Sequence, residues 1–523
     1  MDQTPPKTTS RTSWLAAVGP GLLFAGAAVG VSHLVQSTRG GAQFGLAAIT
    51  LVLASCVLKF PAFRFGPLYA SATGTSLLDG YRRRGRWTLV LFGLLTLAIC
   101  FTTLAAVTIV TAGLLISLVP SISDGLSALG VRPEGIGDEA VLSILLLVLV
   151  AIVLASGGYR LLERLMKFVV PVLAICTLVA MALALRSLSF DDFAWWPALE
   201  TAGDRSLAAA IVGWMPAPID IAVWSSLWTL AKARGGRLQG GRSRAMLDFD
   251  IGYVATMILA IAFVVLGAAV MHGRGEEFSA NASEFATQVV DLYGTQLGPG
   301  FKPLIAIAAF LTMLSTTVTV ADGFPRAITG LVEAWRRPVE VVDRTGVPAL
   351  MWNTVGRSIG RDREDDDPPS DGKDVPPGMN RVVYWISFVV VAAGAMAIPL
   401  GVLSGTSITF KGLIDVVTIS SFVVAPVLVL LNHLCVTGEE MPPTARPGLS
   451  GGVGRGPASA SPPSSRAGIS STCSVSSAAR RAADPSGGGI GGARGSRSRR
   501  GCSARGPPRR SGPGGRRRRS WCR

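Results

Sequence analysis

The sequence predicts an all-α integral membrane protein with about ten transmembrane helices. Of its 523 residues, 49% are hydrophobic, and they come in runs of roughly twenty, the length of helix that crosses a bilayer core. Basic residues concentrate in every second loop between the runs, as they do in multi-pass membrane proteins. No arrangement of a nucleophile with a general base indicates an enzyme.

The apolar runs define ten helices in two halves. They lie near residues 14–35, 44–63, 88–118, 140–156, 166–186, 206–230, 250–271, 301–321, 382–403 and 410–435. We therefore expect four regions, which are a cytoplasmic segment at 1–13, a five-helix repeat at 14–186, a second five-helix repeat at 187–435 and a disordered tail at 436–523.

The charges in the loops predict the orientation. The loop after the second run contains arginines at 82–84 and 86, whereas the loop after the third run contains Asp124, Glu134 and Asp138. The alternation continues along the chain, and cytoplasmic loops keep the positive charge. Both termini are therefore predicted to be cytoplasmic, in a protein of the cytoplasmic membrane whose main partner is the lipid bilayer.

The strong positive charge belongs to the tail, which is rich in Arg, Gly, Ser and Pro. The formal net charge is +16, and the residues after Pro447 contain 16 arginines, no lysine and one acid, Asp484. Two interpretations remain open, a disordered binder of nucleic acid or anionic lipid and a segment read out of frame from GC-rich codons. The second is favoured, so we expect no nucleic-acid partner. The oligomeric state is left open.

The cysteines predict no metal centre. The seven cysteines show neither Cys-x-x-Cys nor Cys/His spacing. Four of them lie in or beside apolar runs, where cysteine commonly packs as a small apolar residue. We therefore expect no zinc site, no disulfide framework and no cofactor.

Two of the ten runs are interrupted near their middles. The first contains GPG at 19–21 and GVSH at 30–33, and the sixth contains Pro216 and Pro218 within VGWMPAPIDIAVW. Proline lacks a backbone donor and clashes with the preceding turn, so the helix unwinds and carbonyl groups are left free. At membrane depth such groups are tolerated where they line a cavity or are buried in protein. The breaks fall in the first helix of each half, which predicts two inverted repeats around a midplane site; the alternative is two kinks that only shape packing.

At these breaks the sequence resembles the natural resistance-associated macrophage protein family of proton-coupled manganese and iron transporters. The first helix of that family has GPG, eight residues, Asp-Pro-Gly-Asn and then a stretch ending in GAQFG; here the same spacing gives GPG, LLFAGAAV, GVSH, LVQSTRG and GAQFG. Met215-Pro216-Ala217 stands where the family has Met-Pro-His. The resemblance extends from residue 14 to about 435. It implies a leucine-transporter type fold, two inverted five-helix repeats, and alternating-access transport of divalent metal ions.

The resemblance also implies site residues. In the family, an aspartate and an asparagine of the first helix, a methionine of the sixth and nearby carbonyl groups hold the metal. A histidine follows the methionine, and a glutamine of the tenth helix helps to gate the site. The corresponding positions here are Gly30, His33, Met215, Ala217 and Ser421, with the carbonyl groups of Ala27 and Val212. The carboxylate is missing, and imidazole, thioether and carbonyl groups alone make a soft site that is poorly balanced in charge for Mn²⁺.

Asp220 is the candidate to replace the missing charge. It lies four residues after Pro216, so helical spacing can turn its carboxylate towards the cavity. An unpaired carboxylate at membrane depth costs at least about 2.5 kcal/mol on insertion scales. Two interpretations remain open for Asp220, a group on the substrate path and a structural partner of a helix-end amide or an arginine. His33, at the matching break, is either a ligand or a packing residue. We predict Met215, His33 and Asp220 as metal ligands that face one cavity.

Three functions follow from these observations. The best supported is transport of a divalent metal ion at a midplane site. The alternatives are a transporter of a non-metal solute, which the missing carboxylate favours, and a non-transporting membrane sensor on the same fold.

Asp250, Asp322 and Asp415 lie near membrane boundaries, where we expect solvated or capping roles.

Overall fold

The computed structural model of the chain describes residues 20–128, 136–156, 159–186, 188, 194–234, 241–273, 278–337, 379–401 and 409–447. The predicted cytoplasmic segment at 1–13 and the arginine-rich residues after Pro447 lie outside the described residues.

The described chain is built of helices, which confirms the predicted fold class. Their bounds are α1 Pro20–Ala28, α2 Thr38–Phe44, α3 Ala48–Thr73, α4 Leu77–Arg84, α5 Arg86–Leu118, α6 Ser121–Ala128, α7 Asp138–Ser156, α8 Tyr159–Ala184, α9 Ala202–Trp214, α10 Ile221–Arg234, α11 Gly241–Met271, α12 Ala282–Leu297, α13 Lys302–Arg336, α14 Arg381–Ala397 and α15 Phe410–Val436. Each of the ten predicted runs coincides with one of these helices or with a broken pair.

Several of the helices can cross a membrane. Within the described ranges, six helical stretches are long and apolar enough to do so, and three shorter apolar helices accompany them. Large apolar side chains point away from the protein interior, and Leu58 of α3, for example, is 79% exposed. An exposed apolar surface of this kind suits contact with lipid.

Both predicted helix breaks are present. In the first, α1 ends at Ala28, Val29 and Gly30 form a bend, and a π-helical turn at Ser32–Ser37 leads into α2. In the second, α9 ends at Trp214 and α10 begins at Ile221, which leaves residues 215–220 outside any helix. Pro216 and Pro218 explain the second break because neither can donate a backbone hydrogen bond.

Glycines bring the broken helices close to their neighbours. A Cβ at Gly213 of α9 would clash with the carbonyl oxygen of Thr418 in α15, and a Cβ at Gly66 of α3 would clash with that of Ala222 in α10. Small residues permit such backbone contacts between membrane helices. The two halves of the sixth run are thereby packed against different helices.

Three short helices were not anticipated from apolar runs, namely α4, α6 and α12. The Asn281 side chain accepts hydrogen bonds from the amides of Ser283 and Glu284 and so caps the start of α12. Ser76 and Asp79 form a capping box at the start of α4. Polar capping residues therefore mark the starts of α4 and α12, as they do in soluble proteins.

Candidate substrate site at the helix breaks

A small cavity lies between the two helix breaks. Its volume is about 20 Å³, which is room for about one water molecule. Its wall is formed by Ala27, Ala28, Val31, Ser32, Thr103, Val107, Trp214, Pro218, Ile221, Trp224, Thr316 and Val320. Residues from both breaks, together with α5 and α13, therefore meet at one point.

Of the predicted site residues, Ala27 lies in the wall of this cavity. Met215, His33 and Asp220 are buried, but none of the three is part of the cavity wall. Among the described residues, no group of three or more His, Cys, Asp or Glu side chains is placed to hold a metal ion. The predicted ligand set is thus not assembled around a single cavity in this conformation.

Gly30 stands where the resemblance places an aspartate, and Thr316 of α13 fills the space beside it. A Cβ on Gly30 would lie 2.9 Å from both Oγ1 and Cγ2 of Thr316. The Thr316 hydroxyl lies 3.2 Å from the carbonyl oxygens of Gly26 and Val29. The same hydroxyl lies 3.2 Å from the Thr312 carbonyl oxygen, so its single hydrogen has acceptors at the first break and in its own helix.

His33 is held by hydrogen bonds on both ring nitrogens. Nε2 lies 2.9 Å from the carbonyl oxygen of Thr256 in α11, and Nδ1 lies 2.8 Å from the Ser32 hydroxyl. Because a carbonyl oxygen only accepts, Nε2 carries a proton and donates it. His33 thus links the first break to α11, and ligation of a metal requires that one of these hydrogen bonds is broken.

The thioether and the carbonyl group of Met215 face different partners. Its Sδ lies 3.6 Å from the Ser37 hydroxyl, which belongs to the first break. Its carbonyl oxygen accepts from Ser55 at 2.9 Å and from the Lys59 ammonium at 3.2 Å. The thioether therefore lies between the two breaks, while the carbonyl group points to α3.

Lys59 is the functional residue that sequence analysis missed. Its ammonium donates to the carbonyl oxygens of Val212, Gly213 and Met215 at the end of α9. The Val212 carbonyl group, predicted as a metal ligand, is thus already bound to a cation. The only signal in the sequence was a lysine within an apolar run, where insertion scales assign a cost of about 2.5–3.5 kcal/mol.

Asp220 is buried at the second break, and its carboxylate has no hydrogen-bond partner among the described residues. Its residue is 1% exposed, and neither carboxylate oxygen is paired within the described part of the chain. The expected alternative, a helix-end amide or an arginine as partner, is therefore not observed there. Asp220 directly precedes Ile221, which lines the cavity.

Other buried polar atoms lack partners within the described ranges, and two of them belong to cavity-lining residues, Thr103 and Trp224. They include the hydroxyl groups of Thr96, Thr103 and Ser225 and the indole N–H of Trp224. Thr96 and Thr103 share one face of α5 with Cys100, which interacts electrostatically with Asp220. Unpaired buried polar groups are rare in proteins and often mark a place where water or an ion binds.

Ser421 and Ala217 support the second break. Ser421 Oγ accepts from the indole N–H of Trp214 at 2.8 Å and donates to the Val417 carbonyl oxygen at 2.9 Å. Ala217 is fully buried. Ser421 therefore positions Trp214 in the cavity wall and does not itself reach the cavity.

An acidic pocket opens beside the ends of α2 and α9. It has a volume of about 560 Å³, and its lining includes Glu200, Asp204 and Gln43. The Gln43 amide donates to the Asp204 carboxylate at 3.0 Å. Glu200 and Asp204 thus place two carboxylates in the lining of this pocket.

The three boundary aspartates are paired with arginines, which corrects the expectation of solvated or capping roles. Asp415 of α15 pairs with Arg39 of α2 at 2.7 Å, and Asp250 of α11 pairs with Arg64 of α3 at 2.9 Å. Asp322 pairs with Arg326 and also accepts from the Tyr384 hydroxyl at 2.7 Å.

Comparison with known proteins places these features in a family. The family described as natural resistance-associated macrophage protein-like matches residues 21–356. An uncharacterized protein of Pasteurella multocida is 35% identical over 325 residues, which cover 60% of this chain and 71% of that protein. The divalent metal cation transporter MntH of Brucella suis is 26% identical over 334 residues, which cover 62% of this chain and 69% of that protein.

Among solved structures, a manganese transporter of Eremococcus coleocola matches 83% of this chain and 98% of its own, at 16% identity and a TM-score of 0.48. The family assignment depends on the sequence match, which extends over both helix breaks. Family members are transporters rather than enzymes. This chain belongs to the natural resistance-associated macrophage protein (Nramp) family of membrane transporters.

Proposed function

We propose that this protein transports a divalent metal ion across the cytoplasmic membrane by alternating access, through a site between the two helix breaks. One observation carries the proposal, namely the buried carboxylate of Asp220, which has no hydrogen-bond partner among the described residues. An unpaired carboxylate at membrane depth marks an ion pathway by default because the group is costly to bury without a task. The proposal includes an orientation of the protein in which both termini lie in the cytoplasm.

In this proposal Asp220 supplies the negative charge that is missing at Gly30. Met215 supplies the thioether, which already lies between the breaks. His33 joins the ligands once its hydrogen bond to Thr256 is released. Carboxylate, thioether and imidazole together suit a first-row transition metal better than Mg²⁺ or Ca²⁺.

The size of the cavity supports an ion as the substrate. A volume of about 20 Å³ accepts one water-sized particle and excludes an organic solute in this conformation. In this proposal Glu200 and Asp204, which line the separate pocket of about 560 Å³, attract cations to the protein. Two relatives named divalent metal cation transporter MntH support the same function.

Uptake into proteoliposomes tests the proposal. The panel contains Mn²⁺, Fe²⁺, Cd²⁺, Mg²⁺ and non-metal solutes, each with and without a pH gradient. We expect uptake of transition metals by the wild type, and a loss of roughly 10- to 100-fold in Asp220→Asn because the only anionic ligand is neutralised. Asp291→Asn is the control, since Asp291 is an exposed residue that pairs with Lys302.

A second candidate function is transport of an organic cation. Two indole rings, those of Trp214 and Trp224, line the cavity and offer cation–π attraction, and this function requires a second conformation in which the cavity is larger. Uptake of small quaternary or primary amines in the same panel, without uptake of any metal, would favour this function. Absence of uptake of every solute by correctly folded protein would favour a membrane sensor.

A further inference from the structure

The side of the second break that faces α3 holds a buried cation, Lys59. Lys59 lies in the middle of α3 and is 8% exposed, so its ammonium does not reach water at either membrane surface. It donates to the carbonyl oxygens of Val212, Gly213 and Met215, the last two at 2.9 and 3.2 Å. An ammonium group has three hydrogens, and here three carbonyl oxygens receive them.

The Val212 carbonyl oxygen is available as an acceptor because of Pro216. In an uninterrupted helix the Val212 carbonyl oxygen would accept from the amide of residue 216, but that residue is Pro216 and has no amide hydrogen. Ser55, one turn before Lys59, donates to the same carbonyl oxygens of Val212 and Met215, at 3.1 and 2.9 Å. One face of α3 therefore satisfies the acceptors that the break creates.

The charge of Lys59 has no carboxylate partner among the described residues. Its partners are the last carbonyl groups of α9, which carry the negative end of the helix dipole. A cation surrounded by uncompensated carbonyl oxygens at a helix C-terminus is the arrangement in which membrane proteins bind a small ion. Here the cation is covalently attached to the chain.

We propose that the Lys59 ammonium is a tethered cation that occupies an ion position at the end of α9 and thereby positions the break. The carbonyl group of Val212 is then closed to a transported ion, and ligands from the second break come from Met215 and the residues after it. Lys59 is a positioning residue, since it acts through the carbonyl groups of the break. This role holds whichever solute the protein carries.

Chemical rescue tests the tethered cation. Lys59→Ala removes the ammonium and leaves a space that ethylammonium can enter. We expect a lower midpoint of thermal unfolding in detergent for Lys59→Ala, and recovery of at least half of the loss in millimolar ethylammonium chloride. Propanol, which has a similar size and no charge, should give no recovery, and the wild type should respond to neither additive.

Ser55→Ala is the matched control, because it removes a neutral donor from the same carbonyl oxygens. Its midpoint should fall without any response to ethylammonium.

If Lys59→Ala cannot be purified alone, the comparison is made on the fraction of monodisperse protein extracted in each additive. Equal recovery by propanol and ethylammonium, no recovery by either, or an unfolding midpoint equal to that of the wild type would overturn the proposal. Because the measurement requires no substrate, its failure is distinct from failure of the proposed metal transport.

Discussion

Gly30 and Thr316 share the space in which the family resemblance places a carboxylate. The position is closed by a side chain of α13, since a Cβ on Gly30 would lie 2.9 Å from Thr316. The hydroxyl of Thr316 also lies within hydrogen-bond distance of two carbonyl oxygens at the first break. Gly30 and Thr316 are therefore packed closely against each other. A carboxylate side chain at residue 30 fits only if the side chain of Thr316 moves or becomes smaller.

Gly30→Asp should destabilise the protein for this reason. Forcing a larger side chain into a packed position costs about 1–3 kcal/mol. The additional substitution Thr316→Ala should recover part of that loss, and the double variant should bind Mn²⁺ more tightly than the wild type in calorimetry. Thermal unfolding midpoints of the two single variants and the double variant measure the effect. Gly30→Asp as stable as the wild type would contradict the close packing.

Two side chains of opposite charge mark the ends of the second break. Lys59 binds the carbonyl groups at the end of α9, and Asp220 directly precedes the first turn of α10. Each position suits the helix dipole, which favours cations at the C-terminus and anions at the N-terminus. Only Lys59 has hydrogen-bond partners among the described residues, so Asp220 is the group with capacity to bind an ion.

At the scale of helices, polar contacts join the parts of the broken helices to different neighbours. Arg39 joins α2 to Asp415 of α15, and Gln36 donates to Thr418 of the same helix at 3.1 Å. Lys59 joins α9 to α3. Alternating access requires movement of such halves against their neighbours, so the contacts between α2 and α15 are candidates to open during transport.

The Arg39–Asp415 ion pair should couple in a double-mutant cycle. Arg39→Gln, Asp415→Asn and the double variant should give a coupling energy of unfolding of about 0.5–1 kcal/mol, low in the usual range because Asp415 is partly exposed. The exposed pair of Lys302 and Asp291 is the control and should couple more weakly. A coupling for Arg39 and Asp415 no larger than in the control would show that this pair does not join the two helices.

At the scale of the whole molecule, the sequence predicted the helices and the breaks because their causes are local. Runs of apolar residues fix which segments cross the bilayer, and Pro216 and Pro218 fix where the sixth run unwinds. The helices α4 and α12 were not predicted because polar caps, rather than apolar runs, mark their starts.

The contacts of the candidate site could not be predicted because they depend on which helices meet. Lys59 and Val212 are far apart in the chain and come together only because α3 packs along α9. Thr316 likewise reaches Gly30 through the packing of α13 on α1. The sequence indicated Asp220 as an unusual charge, but its lack of a partner is a property of the packed structure.

The central claim is that an ion binds at Asp220 while Lys59 keeps the end of α9 closed to it. Anomalous diffraction from crystals soaked in Mn²⁺ tests this most directly. We expect a manganese peak at a metal–oxygen distance of about 2.0–2.6 Å from the Asp220 carboxylate, and no peak at the carbonyl oxygen of Val212. The peak at Asp220 should be absent in Asp220→Asn crystals. A manganese peak at the Val212 carbonyl oxygen, or one that persists unchanged in Asp220→Asn, would contradict it.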